Sequence, residues 1–312
     1  MLHVADGCTY DSVQIITKVF VMQNEITGYH GAGSSWFYLP EYTCIAVSGK
    51  DTAIFLHAQL TSDITQLKDD TWHWSAFLTA QGRVRSIIAV YRRTEESFFL
   101  ISPGVENLFL FEQLRSVVIR RKVQLTPIDP QRILGCFCTP HHARQQLTTQ
   151  NSAGIVLDFG AAHYVRSLCI LSEPVSLPMI VTPDAHIWKR IDFVLGLPHL
   201  TSSESEKWTT HQLRLDRLKA FSTRKGCYPG QEIVSRLHYL GQSKRQMVLL
   251  HAPSGAEMPS DVYSQEHAKL GTVIAIAETV VLAMLPVDVK ETRLTLSLGS
   301  ADITPFISGL AR

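Results

Sequence analysis

The C-terminal segment is the part of the sequence whose structure is most restricted by its residue pattern. From Gly241 onward, short apolar stretches alternate with turn residues, and no helical stretch lies between "RQMVLLHA", "LGTVIAIA", "TVVLAMLP" and "RLTLSLG". Short segments of this kind are typical of antiparallel strands that close on one another. We therefore predict a small β-barrel from about Lys244, with residues 1–240 forming the body of the protein and residues 241–312 the barrel.

The body mixes strands and helices without regular βαβ units. Alternation in "TCIAVSG" predicts a strand, and the following "KDTAIFLHAQL" predicts a helix whose first residue is preceded by Asp51 as a cap. The stretches "TWHWSAFLTA" and "RVRSIIAVYRR", joined by Gln81-Gly82, predict a β-hairpin. Helical spacing predicts two further helices, in "VENLFLFEQLRSVVI" and "DAHIWKRIDFVLGLP". This order of elements indicates the α+β class.

Length and charge exclude several classes of protein. The chain has 312 residues, of which 45% are hydrophobic, and a net charge of +1, so it can bury a large core but has no overall basic field for unspecific nucleic-acid binding. The start of the sequence does not resemble a signal peptide, and Glu278 interrupts the longest apolar stretch. We expect a cytoplasmic monomer that does not associate with membranes. Its six cysteines are thinly spread, which favours reduced thiols.

The stretch "KGCYPGQEIVSR" carries the strongest chemical signal in the chain. Pro229-Gly230 predicts a turn, and Gln231 then begins a short helix, so that Cys227 lies just ahead of a helix N-terminus and two residues from Lys225. A positive local field of this kind favours the thiolate and hence reactivity. The alternative is that Cys227 is a small buried residue in a tight turn, as many free cysteines are.

The same region concentrates positive charge. Between Arg214 and Arg245 there are eight Lys or Arg residues and two acidic residues. A local basic patch fits an anionic small ligand or RNA, and it equally fits a solvated surface. The pattern alone does not separate these two interpretations.

The motif and its surroundings, "LDRLKAFSTRKGCYPGQEIVSRLHYLGQSKR", resemble the signature of the YgfZ family of folate-binding proteins, relatives of the glycine cleavage T-protein. Other segments resemble family segments too: "VSGKDTAIFLHAQLTSDI", the hairpin "LTAQGRV" and the Trp-containing "WKRIDFVLGLP". The first forty residues and "TPHHARQQ" have no clear counterpart. The resemblance implies two ferredoxin-like α+β lobes and a C-terminal β-barrel, arranged as a ring around a central channel that binds tetrahydrofolate or a one-carbon-loaded form of it.

The resemblance also implies which residues contact the folate. Aromatic residues near the first strand and on the Trp-containing helix do so in the family, and Tyr42 and Trp188 match those positions. Tyr42 replaces a tryptophan of better-known members, and its ring can still stack on a pterin. Ordinary core packing is the alternative for Trp188. The motif adds further candidate residues for the site: Cys227 as a reactive thiol, and Lys225, Tyr228, Gln231, Glu232 and Arg236 as folate-binding residues.

The hairpin departs from the aminomethyltransferases that it resembles. Those proteins carry Gly-Gly and then a pair of aspartates, one of which serves the transfer chemistry, whereas the corresponding residues here are Arg83, Ser86 and Ile87. Neither Ser86 nor Ile87 can act as a general base near neutral pH. We therefore do not expect aminomethyl transfer, or an enzyme in the usual sense.

A metal site is also not expected. "CFCTPHH" offers Cys136, Cys138, His141 and His142, but their spacing matches no common zinc site. The sequence also lacks a complete dinucleotide fingerprint, a phosphate-binding loop and a serine-hydrolase elbow.

Three functional hypotheses follow. The resemblance implies a tetrahydrofolate-dependent accessory protein for iron–sulfur enzymes, such as those that thiolate tRNA, with those enzymes as partners and without direct nucleic-acid binding. The second hypothesis is a folate-dependent aminomethyl or one-carbon transferase with an unrecognised base. The third is a folate-independent scaffold that binds protein or RNA.

Overall fold

The structure is a computed structural model that describes residues 36–104, 107–138, 148–150, 154–161, 164–174, 183–241, 243–253, 260–297 and 299–312. Within these residues there are four α-helices: α1 (Thr52–Gln59), α2 (Asn107–Arg115), α3 (Pro183–Val194) and α4 (Gln231–Tyr239). Strands make up most of the regular structure, and they form two open sheets and one closed barrel. The body of the protein comes first along the chain and the barrel last.

The first sheet has five antiparallel strands, in the order β3-β4-β5-β2-β6. They are β2 (Tyr42–Ser48), β3 (Thr71–Leu78), β4 (Val84–Thr94), β5 (Ser97–Pro103) and β6 (Gln124–Pro127). One face of this sheet packs on α1 and α2 through Phe55, Leu56, Leu110 and Leu114. The opposite face carries Trp72 and Trp74 into the central core, because alternate residues of a strand point to opposite faces.

The second sheet has the order β1-β7-β10-β9-β8, and each of its pairs is antiparallel. Its strands are β1 (Phe37–Tyr38), β7 (Ile133–Cys136), β8 (Thr148–Gln150), β9 (Gly154–Asp158) and β10 (Ser167–Leu171). Ile133, Leu157, Leu168 and Ile170 extend from this sheet into the same core as Trp72 and Trp74.

The barrel is closed and antiparallel, with the strand order β11-β14-β13-β12-β15-β16 and a final pairing of β16 with β11. Its strands are β11 (Arg245–His251), β12 (Asp261–Tyr263), β13 (Lys269–Ala277), β14 (Val280–Pro286), β15 (Arg293–Leu296) and β16 (Gly299–Thr304). The barrel has its own interior, and Met247, Ile274 and Leu282 also join the central core. Body and barrel therefore meet across a continuous apolar contact.

The architecture confirms the α+β class and the C-terminal barrel that the sequence predicts. The predicted hairpin is β3 and β4, and the predicted amphipathic helix with Trp188 is α3. The cap predicted for α1 is wrong in one detail. Asp51 precedes the helix but makes no side-chain cap, because its Oδ2 instead accepts a hydrogen bond from the backbone N–H of Lys122 at 2.8 Å. None of the helices in the described residues has the length and apolar character to cross a membrane.

Candidate functional site

A cavity of about 1040 Å³ lies between the body and the barrel. Its wall combines the start of β2, one side of α3, the segment from His199 to Trp208 and the middle of β13. The lining contains aromatic rings and paired charges, among them Glu41, Tyr42, Lys189, Phe193, His199, Glu204, Lys207 and Trp208. A cavity of this volume, at a contact between two structural units, is large enough for a small organic ligand.

Tyr42 and Trp188 meet at this wall, although 146 residues separate them in the chain. The indole Nε1 of Trp188 donates to the hydroxyl of Tyr42 at 3.2 Å, and that hydroxyl donates to Asp192 Oδ2 at 2.7 Å. Tyr42 lines the cavity, whereas Trp188 lies behind it and borders only a small adjoining void of about 20 Å³. The two predicted aromatic residues are therefore brought together, with Tyr42 in front.

The Trp188 ring is enclosed on several sides. The guanidinium of Arg166 lies 4.5 Å from its centroid, a distance at which a cation is attracted to an aromatic face. The rings of Phe37, Phe137 and Phe159 lie 6.1, 6.0 and 6.2 Å from it. This packing fixes the indole and so fixes the hydrogen bond that it donates to Tyr42.

A buried network of charges supports the same wall. Asp192 accepts from Arg166 Nη1 at 2.7 Å and faces His199 Nε2 at 2.9 Å. The other ring nitrogen of His199 lies 3.0 Å from Glu41 Oε2, and Glu41 Oε1 accepts from Lys189 at 2.9 Å. The network thus runs from Arg166, which is fully buried, to Glu41, whose side chain is 45% exposed.

The contacts within this network determine its protonation. Burial opposes charge on each member, but the hydrogen bonds and charges of His199 and Lys189 outweigh it and lower the pKa of Glu41 to about 2. Burial raises the pKa of Asp192, but the charges and hydrogen bonds of Arg166, His199 and Tyr42 outweigh it and lower that pKa. Burial lowers the pKa of His199, but the hydrogen bonds and charges of the two carboxylates outweigh it and raise that pKa. The raised pKa of His199 favours an imidazolium that donates to both carboxylates, and the low pKa of Glu41 favours an ionised carboxylate facing the cavity.

The sequence did not predict Glu41, Arg166, Asp192 or His199 as site residues. One signal was present: Asp192 lies one helical turn after Trp188 on α3, so a charge occupies the core-facing side of an apolar helix. His199 follows Asp192 by seven residues, beyond the end of α3, whereas Glu41 and Arg166 reach this network from more distant segments.

The Cys227 motif lies at a second place in the fold. The ammonium of Lys225 donates to three backbone carbonyls at the end of α1: those of Leu60 at 2.6 Å, Ser62 at 2.9 Å and His57. Burial lowers the pKa of Lys225 to about 8 despite the charge of Asp63. The three N–H groups are thereby engaged, so a ligand carboxylate or a thiolate at Cys227 would have to displace one of these carbonyls.

The other motif residues hold the turn in place. Gln231 Nε2 donates to the carbonyl of Lys225 at 3.1 Å, and the hydroxyl of Tyr228 donates to the carbonyl of Ser222 at 3.1 Å. Cys227 is exposed, and so are Glu232 and Arg236 on α4. The interpretation of Cys227 as a buried small residue is therefore wrong.

A close backbone contact explains the Pro-Gly turn. Gly230 has φ of +79°, and a Cβ there would lie 2.6 Å from the Cα of Gly82 in the hairpin between β3 and β4. Any other residue would be strained by both the conformation and the contact. The motif is thus fixed against the hairpin on one side and the end of α1 on the other.

The cavity wall includes Tyr42 but none of residues 225–236. Within the described part of the chain, the structure therefore brings Tyr42 and Trp188 together and brings Lys225, Tyr228 and Gln231 together, in two separate groups. A single folate site that contains both groups stays a prediction.

The hairpin positions that differ from aminomethyltransferases hold no carboxylate. Ser86 is buried, and its Oγ lies 2.6 Å from that of Ser102, while Ile87 packs in the core. Neither residue lines the cavity.

Cys136 and Cys138 form a disulfide, so the expectation that the cysteines are reduced is wrong for this pair. The chain bends after β7, which brings the two Cα atoms to 5.3 Å, within the range of bridged cysteines. His141 and His142 lie outside the described residues. Within those residues, no group of three or more side chains is placed to hold a metal ion.

Comparison with known proteins agrees with the motif. No family model matches the sequence. An uncharacterised protein of Haemophilus influenzae is 28% identical over 246 residues, which cover 77% of this chain and 83% of that protein. The "tRNA-modifying protein YgfZ" of Colwellia psychrerythraea is 24% identical over 72% of this chain and 73% of its own length, and that of Sodalis glossinidius is 24% identical over 77% and 80%.

The resemblance to the YgfZ family is confirmed. The fold agrees with it as well: the crystal structure of the glycine cleavage system aminomethyltransferase T from Bartonella henselae superposes with a TM-score of 0.66. The match covers 88% of this chain and 86% of that protein at 15% identity. The α+β body with a closed C-terminal β-barrel that the YgfZ resemblance implies is thus present in this chain.

Proposed function

We propose that this YgfZ-like protein binds tetrahydrofolate in the cavity between body and barrel, and that it supports iron–sulfur enzymes that thiolate tRNA in the cytoplasm. The observation that carries the proposal is the hydrogen bond by which Trp188, from behind the cavity wall, holds Tyr42 in the cavity lining. The family resemblance assigns folate contact to these two positions. The names of the YgfZ relatives support the link to tRNA modification.

The residues at the wall fit a reduced folate. A pteridine ring offers a flat face, for which the partly exposed Trp208 in the cavity lining provides an apolar contact, with Tyr42 and Phe193 buried in the same wall. It also offers N–H donors, for which the ionised Glu41 is a strong acceptor. When bound, tetrahydrofolate would supply a reduced ring that carries one-carbon units.

The chain's own residues would orient this ligand. Trp188 and Asp192 hold the Tyr42 hydroxyl, so the plane of the phenol is fixed before the ligand arrives. His199 and Lys189 hold the Glu41 carboxylate in the same way. Cys227 would act at the other place in the fold, as an exposed thiol presented to the iron–sulfur client.

Calorimetric titration of tetrahydrofolate under anaerobic conditions tests the folate site. We expect saturable binding that Tyr42→Ala weakens at least ~10-fold, because one fully used aromatic contact is typically worth more than about 1 kcal/mol. Tyr239→Ala is the matched control, since Tyr239 is exposed and outside the cavity lining. Absence of binding at millimolar ligand, or equal losses in both variants, would remove folate from the proposal.

The role of the thiol needs a separate test in cells. In a strain that lacks this gene, we expect Cys227→Ala to leave the tRNA thiolation defect uncorrected, while Cys169→Ala, at a buried cysteine, corrects it. Full correction by Cys227→Ala would show that the thiol has no part in supporting the client enzymes.

A further inference from the structure

The surface around Cys227 exposes apolar side chains that a protein normally buries. Ile54 is 58% exposed, Tyr239 63% and Leu240 86%; in the described residues only Ile119, Val165 and Val287 are other large hydrophobic side chains with comparable exposure. We call Ile54, Arg224, Cys227, Arg236, Tyr239 and Leu240 the Cys227 surface. Three of the six exposed large hydrophobic residues thus belong to one region.

Contacts between three chain segments make this surface continuous. The hydroxyl of Tyr239 lies 2.9 Å from Thr223 Oγ1, which joins the end of α4 to the turn that carries Cys227. On the other side, a Cβ placed on Gly226 would lie 4.0 Å from His57 Nε2. Ile54 lies three residues before His57 on α1, and residues at this spacing share a helix face.

One face of α4 supplies much of the surface. Arg236 and Leu240 are four residues apart and Arg236 and Tyr239 are three apart, so the three side chains lie on the same exposed side of the helix. A solvent-facing side of a helix is normally polar. Here it ends in a tyrosine and a leucine.

The surface is preformed. Lys225, directly before Gly226-Cys227, is bound to three carbonyls of another segment. Ser222 Oγ accepts from the backbone N–H groups of both Arg224 and Lys225 at 3.2 Å. A partner that binds here would pay little to order the turn, which favours affinity.

The cations of the surface have no counter-ion in the described part of the chain. Arg224 and Arg236 are exposed and enter none of the salt bridges between described residues. Exposed Arg120 and Arg121, which follow Ile119, also enter none of these salt bridges, so the Cys227 surface is distinguished by its thiol and three exposed apolar side chains together with its cations. The exposed Glu232 lies one helical turn before Arg236, but Arg224 and Arg236 outnumber it, and this excess of positive charge complements an acidic surface.

We propose that the Cys227 surface docks a partner protein that presents apolar side chains flanked by carboxylates, and that docking covers Cys227. Aliphatic side chains such as Ile54 and Leu240 favour a protein over RNA, because unspecific RNA contacts use phosphate and base stacking on aromatic rings. The inference rests on the proposed function only in that the partner is an iron–sulfur client of Cys227. It does not depend on the folate site.

A synthetic peptide serves as the probe: a fluorescein-labelled 18-residue helix with Leu and Phe on one face and Glu on both flanks. Binding to the full-length protein is followed by fluorescence anisotropy. We expect saturable binding that weakens at least ~10-fold in Arg224→Glu/Arg236→Glu and at least ~5-fold in Leu240→Ser. The matched control is Ile119→Ser/Arg120→Glu/Arg121→Glu, which changes an equally exposed apolar and basic segment, and it should bind as the unmodified protein does.

Alkylation of Cys227 locates the bound peptide. We expect saturating peptide to slow the reaction of Cys227 with iodoacetamide at least ~5-fold, since a docked partner excludes the reagent. Absence of peptide binding, or binding that neither protects Cys227 nor responds to the variants, overturns the proposal.

An unmodified tRNA transcript is run in parallel. If it protects Cys227 and its binding responds to the arginine variant but not to Leu240→Ser, the surface is an RNA site and the proposal is wrong. Tetrahydrofolate titration of the same variants separates the two proposals. If the protein binds the peptide but not tetrahydrofolate, the folate proposal fails. If it binds tetrahydrofolate but not the peptide, the docking proposal fails.

Discussion

Arg166 Nη1 donates to Asp192 Oδ1 across 2.7 Å, and neither side chain has any exposure to solvent. Two further nitrogens of Arg166, Nε and Nη2, have no hydrogen-bond partner within the described part of the chain. The charge of Arg166 is therefore compensated by Asp192 and by the face of Trp188. Because Asp192 also holds Tyr42 and His199, this ion pair links the core to the cavity wall.

Asp192→Asn should therefore be strongly destabilising. It keeps the shape of the side chain but leaves Arg166 as a buried charge without a counter-ion, which typically costs about 3–5 kcal/mol. Urea unfolding followed by circular dichroism measures the free energy of unfolding. Asp184→Asn, in the first turn of the same helix and without a salt bridge to a described residue, is the control and should change it by less than ~1 kcal/mol, the usual size of a helix-dipole interaction. A loss below 1 kcal/mol in Asp192→Asn would contradict the role given to this pair.

His199 should make stability fall at alkaline pH. The pKa of His199 is above the ordinary 6.5 in the folded protein. Its contribution to the free energy of unfolding is therefore complete below pH 6.5 and is lost as the pH rises through the folded pKa. Its partner Glu41 has a pKa of about 2 against an ordinary 4.5, so that contribution is complete above pH 4.5 and is lost as pH falls towards 2.

The measurement is the difference in unfolding free energy between the unmodified protein and His199→Gln at several pH values. The difference removes the pH dependence that both proteins share, including that of other histidines such as His73. Burial lowers the pKa of His73 to about 4. We expect the difference to be greatest near pH 5–6 and to shrink above the folded pKa of His199. A difference that grows from pH 6 to pH 9 would show that His199 is neutral in the fold.

Much of the fold could be predicted from local pattern. Alternation located the hairpin of β3 and β4 and the barrel strands, and helical spacing located α3, because each of these elements buries one face against a large core. The Cys227 motif was found since its turn and helix are adjacent in sequence. Tyr42 and Trp188 were found only through family resemblance, as no local pattern joins residues 146 positions apart.

What could not be predicted depends on contacts between distant segments. Glu41 and Arg166 lie far along the chain from Asp192 and His199, and a buried charge has no periodicity that reveals its partner. The sequence does not predict the contacts of Lys225 for another reason. Its acceptors are backbone carbonyls, which every residue has, so no residue type marks them. The bend that joins Cys136 to Cys138 likewise left no signal in the strand pattern.

Lys225→Met should lower stability rather than change the chemistry of Cys227. The substitution retains the aliphatic length but removes the donor to three carbonyls, and buried acceptors left unsatisfied cost about 2–4 kcal/mol in total. Thermal and urea unfolding measure the loss of stability. The control is Arg224→Met, at the exposed residue that precedes Lys225. If Lys225→Met instead retained full stability and slowed alkylation of Cys227, the ammonium would be acting on the thiol.

Cys227 should be the reactive thiol among the free cysteines of the described residues. Burial raises the pKa of Cys44 far above its ordinary range and that of Cys169 to about 12, whereas Cys227 is exposed. In a Cys8→Ser background at pH 8, iodoacetamide should modify Cys227 at least ~100-fold faster than the two buried thiols, because reaction needs an accessible thiolate. Peptide mass spectrometry over time gives the rates, and unfolding in urea should make the three equal. Comparable rates in the folded protein would mean that the segments over Cys44 and Cys169 open as readily as the turn that presents Cys227.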